Sequence, residues 1–129
     1  MFAAIAPVGW MQRGADEDIA NAAVQIPIWT FKGEFDTNTD AASLAPDSAN
    51  TLGIEFWRAF NKMDTTRTGS VRRDGDFITT TYDFNGQPLV SFTEVKNSPH
   101  AYLNEQSWMI WEDFFVNYRR ALNGTVLYN

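Results

Sequence analysis

Cysteine is absent from the 129 residues, and histidine occurs once, at position 100. The first absence excludes disulfides and thiolate metal centres, but it leaves the compartment open because secreted chains also do without cysteine. The second means that any imidazole chemistry rests on one residue. Basic residues are in deficit, ten against sixteen acidic, for a formal net charge of −6. A field of that sign repels phosphate backbones and anionic lipid surfaces, so neither nucleic acid nor a membrane is an expected partner.

Long apolar runs are also missing. "FAAIAPV" at 2–8 is far shorter than a membrane span, and the amino terminus lacks the basic n-region and small-residue cleavage site of a signal peptide. There is no phosphate-binding glycine loop, dinucleotide fingerprint or fixed-period repeat, so no cofactor is expected. Two acidic clusters, Asp16, Glu17 and Asp18, and Asp36, Asn38 and Asp40, bring to mind oxygen ligands for calcium. "DTNTD" lacks the later glycine and bidentate glutamate of such a loop, and a solvated turn is the expectation, with no metal.

What is present is material for a core. Hydrophobic residues make up 44% and aromatics 15%, too apolar for a disordered chain and sufficient at this length for one domain spanning 1–129. "FAAIAPV", ended by Gly9, suits a strand buried on both faces. The acid-rich stretch 13–21 has room for one or two helical turns. "IPIWTFK" at 26–32 is a second strand, stopped by Gly33, with Pro27 near its start where a missing N–H is tolerated.

A helix is predicted next, capped by Asp47 or Ser48, with Leu52, Phe56, Ala59 or Phe60, and Met63 on one stripe. After the polar break "DTTRTGSVRRDGD", the runs "FITTTYDF" and "LVSFTEV" read as strands joined by Asn85-Gly86, a two-residue hairpin signal. Trp108, Trp111, Phe115, Tyr118 and Leu122 then recur at helical spacing, predicting a closing helix whose aromatic stripe faces the core, with Gly124 after its last turn. Strands alternating with helices predict an α/β fold: a small, mainly parallel sheet of about three strands plus a hairpin strand, flanked by helices.

In open sheets of this kind ligands bind beyond the carboxyl ends of the strands. Asp36 lies three residues past Gly33, and His100 five past Val95. If the two strands are parallel neighbours, both side chains emerge at one edge, where an imidazole can donate one ring N–H to the carboxylate and keep its other nitrogen as a base. Taken singly, each is also an ordinary turn or surface residue.

These segments, in this order, resemble the carboxy-terminal half of an α/β-hydrolase of the polyhydroxybutyrate depolymerase and feruloyl esterase type. "FAAIAPVGW" resembles the strand after the nucleophile helix, and "IPIWTFKGEFDTNT" the strand leading to the triad acid, which falls on Asp36. "GIEFWRAFN" resembles the helix after the acid loop, "GQPLVSFTEVKNSPHAY" the strand leading to the triad histidine, which falls on His100, and "WMIWEDFFVNYR" the closing helix. The resemblance implies a serine esterase with Asp36 and His100 as acid and base.

Two departures qualify what is implied. Pro99 stands where family members often have glycine, and the G-x-S-x-G nucleophile elbow is absent from the sequence. None of Ser43, Ser48, Ser70, Ser91, Ser98 and Ser107 is flanked in that way. The expectation is therefore a truncated or split hydrolase that starts inside a longer ancestral sequence and is inactive alone on carboxylic esters. Its expected partner is a Ser-bearing complementary segment, or a second copy in a homodimer that covers the exposed edge of "FAAIAPV". The alternative is a non-enzymatic α/β interaction module, self-associating through that same edge.

Overall fold

The computed structural model describes residues 3–9, 13–37 and 40–129. Met1, Phe2, Trp10 and Asn38, which enter the sequence reading, lie outside the described residues. The elements run α1 (Asp16–Asn21), β1 (Ile28–Gly33), α2 (Ala49–Phe60), β2 (Ser70–Asp74), β3 (Phe77–Phe84), β4 (Gln87–Val95) and α3 (Asn104–Trp108). α3 continues as a π-helix, Met109–Phe114, and a 3₁₀ turn, Phe115–Asn117, and a small hairpin of β5 (Tyr118–Arg120) and β6 (Val126–Tyr128) follows.

The fold is a small α/β one, and its main sheet is mixed, in the order β1-β4-β3-β2. Only β1 and β4 are parallel, paired from Ile28 with Val90 to Gly33 with Val95, while β4 with β3 and β3 with β2 are antiparallel. This corrects the expected mainly parallel sheet. The reason lies in the stretch taken for a polar break: Gly75-Asp76 makes a second two-residue hairpin turn, with Gly75 at φ +57°, and folds "SVRRD" back as β2. All five β2 residues are exposed, and Arg72 and Arg73 give that edge the charge that discourages further pairing. The predicted hairpin forms as read, with Asn85 at φ +51° and Gly86 at φ +78°, the pair of positive angles a type I′ turn requires.

Residues 3–9 run parallel beside β1 but do not form a continuous strand. Ile5 bridges Ile28 and Val8 bridges Phe31, in one unbroken register. Ile5 N–H donates to Pro27 at 2.9 Å and Gly9 N–H to Phe31 at 2.8 Å, while Ile5 and Pro7 carbonyls accept from Trp29 and Phe31. The rung missing between them is the one that the nitrogen of Pro7 would give to Trp29, and proline has no proton there. The segment is half-buried rather than buried on both faces as expected.

Strand alternation divides the core. Trp29 and Phe31 stack at 4.8 Å on one face, where Phe114 meets Trp29 edge-on at 5.8 Å and the indole N–H donates to Thr93 Oγ1 at 2.7 Å. On the other face Tyr82 lies under the Arg58 guanidinium of α2, 4.1 Å from the ring centre. Ser48 caps α2, as one of the two predicted candidates, accepting from Thr51 N–H at 3.1 Å. Of the predicted stripe, Phe56 and Met63 are buried, and Ile54 joins them in the core, whereas Leu52 and Phe60 are only half-buried.

The closing helix departs most from its reading. Its π turn advances the hydrogen-bonding register by one residue, so Ile110 and Phe114 face the core, while Trp108 and Trp111 stand 67% and 60% exposed. The helix ends at Asn117. Tyr118 is buried, as expected, but from β5, where its hydroxyl donates to the Pro88 carbonyl and burial pushes its phenol well above the usual range. Leu122 lies fully exposed in the β5–β6 turn, which contains Gly124 at φ +86°.

Candidate active site

The parallel ladder of β1 and β4 does not stop where the strands do. Glu34 N–H donates to the Val95 carbonyl and Phe35 N–H to the Ser98 carbonyl, both at 2.9 Å. The Glu34 carboxylate returns across the gap, accepting from Asn97 N–H at 2.9 Å and from Lys96 Nζ at 3.3 Å. The Asn97 N–H is the main cause holding this carboxyl below its ordinary 4.5; partial burial opposes it and Lys96 reinforces it. Lys96 in turn pairs with Glu94 at 2.7 Å, and these acceptors raise its own pKa. At Gly33 the two chains come so close that a Cβ would lie 2.2 Å from the Pro99 carbonyl oxygen. Glycine is required there by contact rather than by backbone angle.

This zipper brings the two predicted residues together. His100 Nδ1 lies 2.7 Å from Asp36 Oδ2, across sixty-four positions of sequence. Asp36 is fully buried, and its N–H donates to the Gly33 carbonyl at 3.2 Å. The His100 side chain is 56% exposed. The ring therefore has one nitrogen against a buried carboxylate, while more than half of the side chain remains exposed. Its flank rests on Gly9, where a Cβ would meet His100 Cε1 at 2.5 Å.

One buried charge escaped the sequence reading. Lys32 is only 1% exposed, at the end of β1 beside the acid loop. Burial lowers its pKa, and the fields of Asp36 and Asp40 oppose that shift. The available signal was a lysine inside an apolar strand, where a charge persists only with compensation. Asp40, considered above as a calcium ligand, is engaged at α2, accepting from Ala49 N–H at 2.6 Å. Among the described residues no group of three histidine, cysteine or acidic side chains is arranged to hold a metal ion.

The serines lie elsewhere. Ser98 Oγ bonds the Pro99 carbonyl, Ser107 meets Tyr102, Ser48 caps α2, and Ser91 pairs with Thr81. Ser43 bonds Ala45, and Ser70 reaches the Thr81 carbonyl. Among the described residues no serine hydroxyl is hydrogen-bonded to His100. The pair can orient and move a proton, and the nitrogen opposite Asp36 is the group placed to do it. Neither member is arranged as an attacking nucleophile.

No known family model matches the chain, and no curated protein matches it either.

Proposed function

We propose that this chain supplies the acid and base of a serine ester hydrolase, on a partial α/β-hydrolase fold, and that the nucleophile comes from outside this sequence. The observation that carries the reading is the 2.7 Å contact between a buried carboxylate and an outward-facing imidazole, at the carboxyl ends of two parallel strands. The ordered resemblance to the polyhydroxybutyrate depolymerase and feruloyl esterase type supports it independently.

In this reading Asp36 stays ionised and holds the proton of His100 on Nδ1, which leaves Nε2 as the base. As a serine oxygen attacks the ester carbonyl, Nε2 takes its proton, and the carboxylate stabilises the imidazolium so formed. The same proton then passes to the leaving alkoxide as the ester bond breaks. Water, deprotonated by the same nitrogen, then attacks the acyl carbon, and as the acyl–serine bond breaks the proton passes to the serine oxygen and the acid is released. The oxyanion donors, like the serine, belong to the complementary segment. Because triad members act as a unit, the chain alone has no appreciable esterase activity.

The test is complementation. The chain is mixed with the nucleophile-bearing half of a hydrolase of this type, and labelling of the elbow serine by a fluorophosphonate is read by intact mass. The expected result is labelling that needs both chains and is lost with His100→Ala. Labelling of equal rate with and without the His100 imidazole contradicts the proposal.

A further inference from the structure

The edge formed by residues 3–9 faces two ways. In an extended chain the N–H and C=O of one residue point to the same side, and those of the next residue to the other. Ile5, Pro7 and Gly9 turn theirs toward β1, as the bonds to Pro27, Trp29 and Phe31 record. Ala4, Ala6 and Val8 therefore turn theirs away from the sheet. Among the described residues, no backbone hydrogen bond engages any of these three.

The position of Pro7 sharpens the point. Edge strands use proline to blunt themselves, placing the missing N–H on the open side. Here the missing N–H lies on the β1 side, where it costs the sheet a rung, and the three outward donors are intact. Residues 3–9 also carry no charge, in a chain of net charge −6, whereas the opposite edge, β2, is guarded by Arg72, Arg73 and Asp74. One edge is protected and the other is left able to pair.

We propose that this edge is an interface between two copies of the chain, which pair antiparallel about a two-fold axis at Ala6. Ala6 then lies opposite the same residue of the second copy, and Ala4 opposite Val8. Each such pair exchanges two backbone hydrogen bonds, and the two-fold makes the pattern self-complementary. The absence of charge along 3–9 is what selects a second copy as occupant, since two chains of net charge −6 meet with least repulsion on an uncharged strip. The two four-stranded sheets become one continuous sheet, and the second copy takes the edge on which the complementary segment of the hydrolytic reading would dock, so the dimer is the state of the chain without that segment.

The experiment combines sedimentation equilibrium with amide hydrogen exchange across a concentration series of the full chain. The expected result is a dimer in which the amides of Ala4, Ala6 and Val8 gain protection as the dimer fills, while those on the open side of β2 do not. Ala6→Pro removes the central outward donor from both copies and weakens the dimer at least about tenfold. Pro7→Ala, which adds an N–H on the β1 side only, leaves dimerisation within about twofold. A chain that stays monomeric throughout overturns the proposal, as does a dimer whose three outward amides exchange as in the monomer, or one that Ala6→Pro leaves intact. If Ala6→Pro does not fold, exchange in the unaltered chain decides alone.

Discussion

The imidazole of His100 rests on Gly9, ninety-one positions away in sequence, with no room between them for a β-carbon. Gly9 sits at φ +90°, and its N–H is tied to the Phe31 carbonyl at 2.8 Å. Residues 3–9 are thus part of the site as well as of the sheet. Gly9→Ala is expected to displace the ring and break its contact with Asp36, and to cost about 1–3 kcal/mol in stability through backbone strain. The check is the ring-proton spectrum of His100 beside a denaturation curve. An unshifted ring signal refutes the coupling.

Lys32 and Asp36 are expected to be energetically coupled. Each is at most 1% exposed, and their opposite charges act on one another. Asp36→Asn should therefore cost more in the natural background than in Lys32→Met, with a coupling of about 0.5–3 kcal/mol in a double-mutant cycle read by urea unfolding. Additivity within about 0.3 kcal/mol shows that the two do not interact.

Acid should loosen the clamp between the two loops before it unfolds the sheet. The Glu34 carboxyl is held below its ordinary 4.5, first by the Asn97 N–H. A carboxyl with a depressed folded value adds stability that is fully present above the unfolded value and is lost as pH falls through the folded one. Protection of the Asn97 amide should therefore be constant above about pH 5 and decline below 4.5, and Glu34→Gln should flatten that dependence. A pH profile that does not change in Glu34→Gln assigns the acid sensitivity to another group.

The aromatic residues of the closing helix divide sharply. Trp108→Ser and Trp111→Ser should each change stability by no more than about 0.5 kcal/mol, because both side chains are mostly in solvent. Phe114→Ala, which empties a site packed against Trp29, Phe115 and Tyr118, should cost about 3–5 kcal/mol. Thermal melts of the three variants are sufficient. A tryptophan variant as damaging as the phenylalanine one restores the core-facing stripe that periodicity predicts.

That contrast shows where sequence patterns carry far and where they fail. Asn85-Gly86 specifies its hairpin because only a few residues accept the angles of that turn, and the apolar runs of β1 and β4 leave few alternatives to a buried parallel pair. The spacing puts Asp36 and His100 at one edge only on condition that those strands are parallel neighbours, and it is the ordered resemblance that singles the two out, since each alone is an ordinary turn or surface residue. The spacing of Trp108, Trp111 and Phe115 assumes 3.6 residues per turn, and one π turn is enough to rotate the tryptophans into solvent. β2 was hidden because an exposed edge strand has no apolar alternation, and only its Gly75-Asp76 turn marks it. Lys32 was hidden because its partners lie in a loop whose path no local pattern predicts.

The central claim is that Asp36 fixes the proton of His100 on Nδ1 and leaves Nε2 as the base. The most direct measurement is the nitrogen-15 ring spectrum of the single histidine, recorded in its neutral state for the natural chain and for Asp36→Asn. The account predicts the Nδ1–H form in the natural chain, with a slowly exchanging ring proton that is lost in the variant. A ring that carries its proton on Nε2, or that gives the same spectrum without the carboxylate, contradicts it.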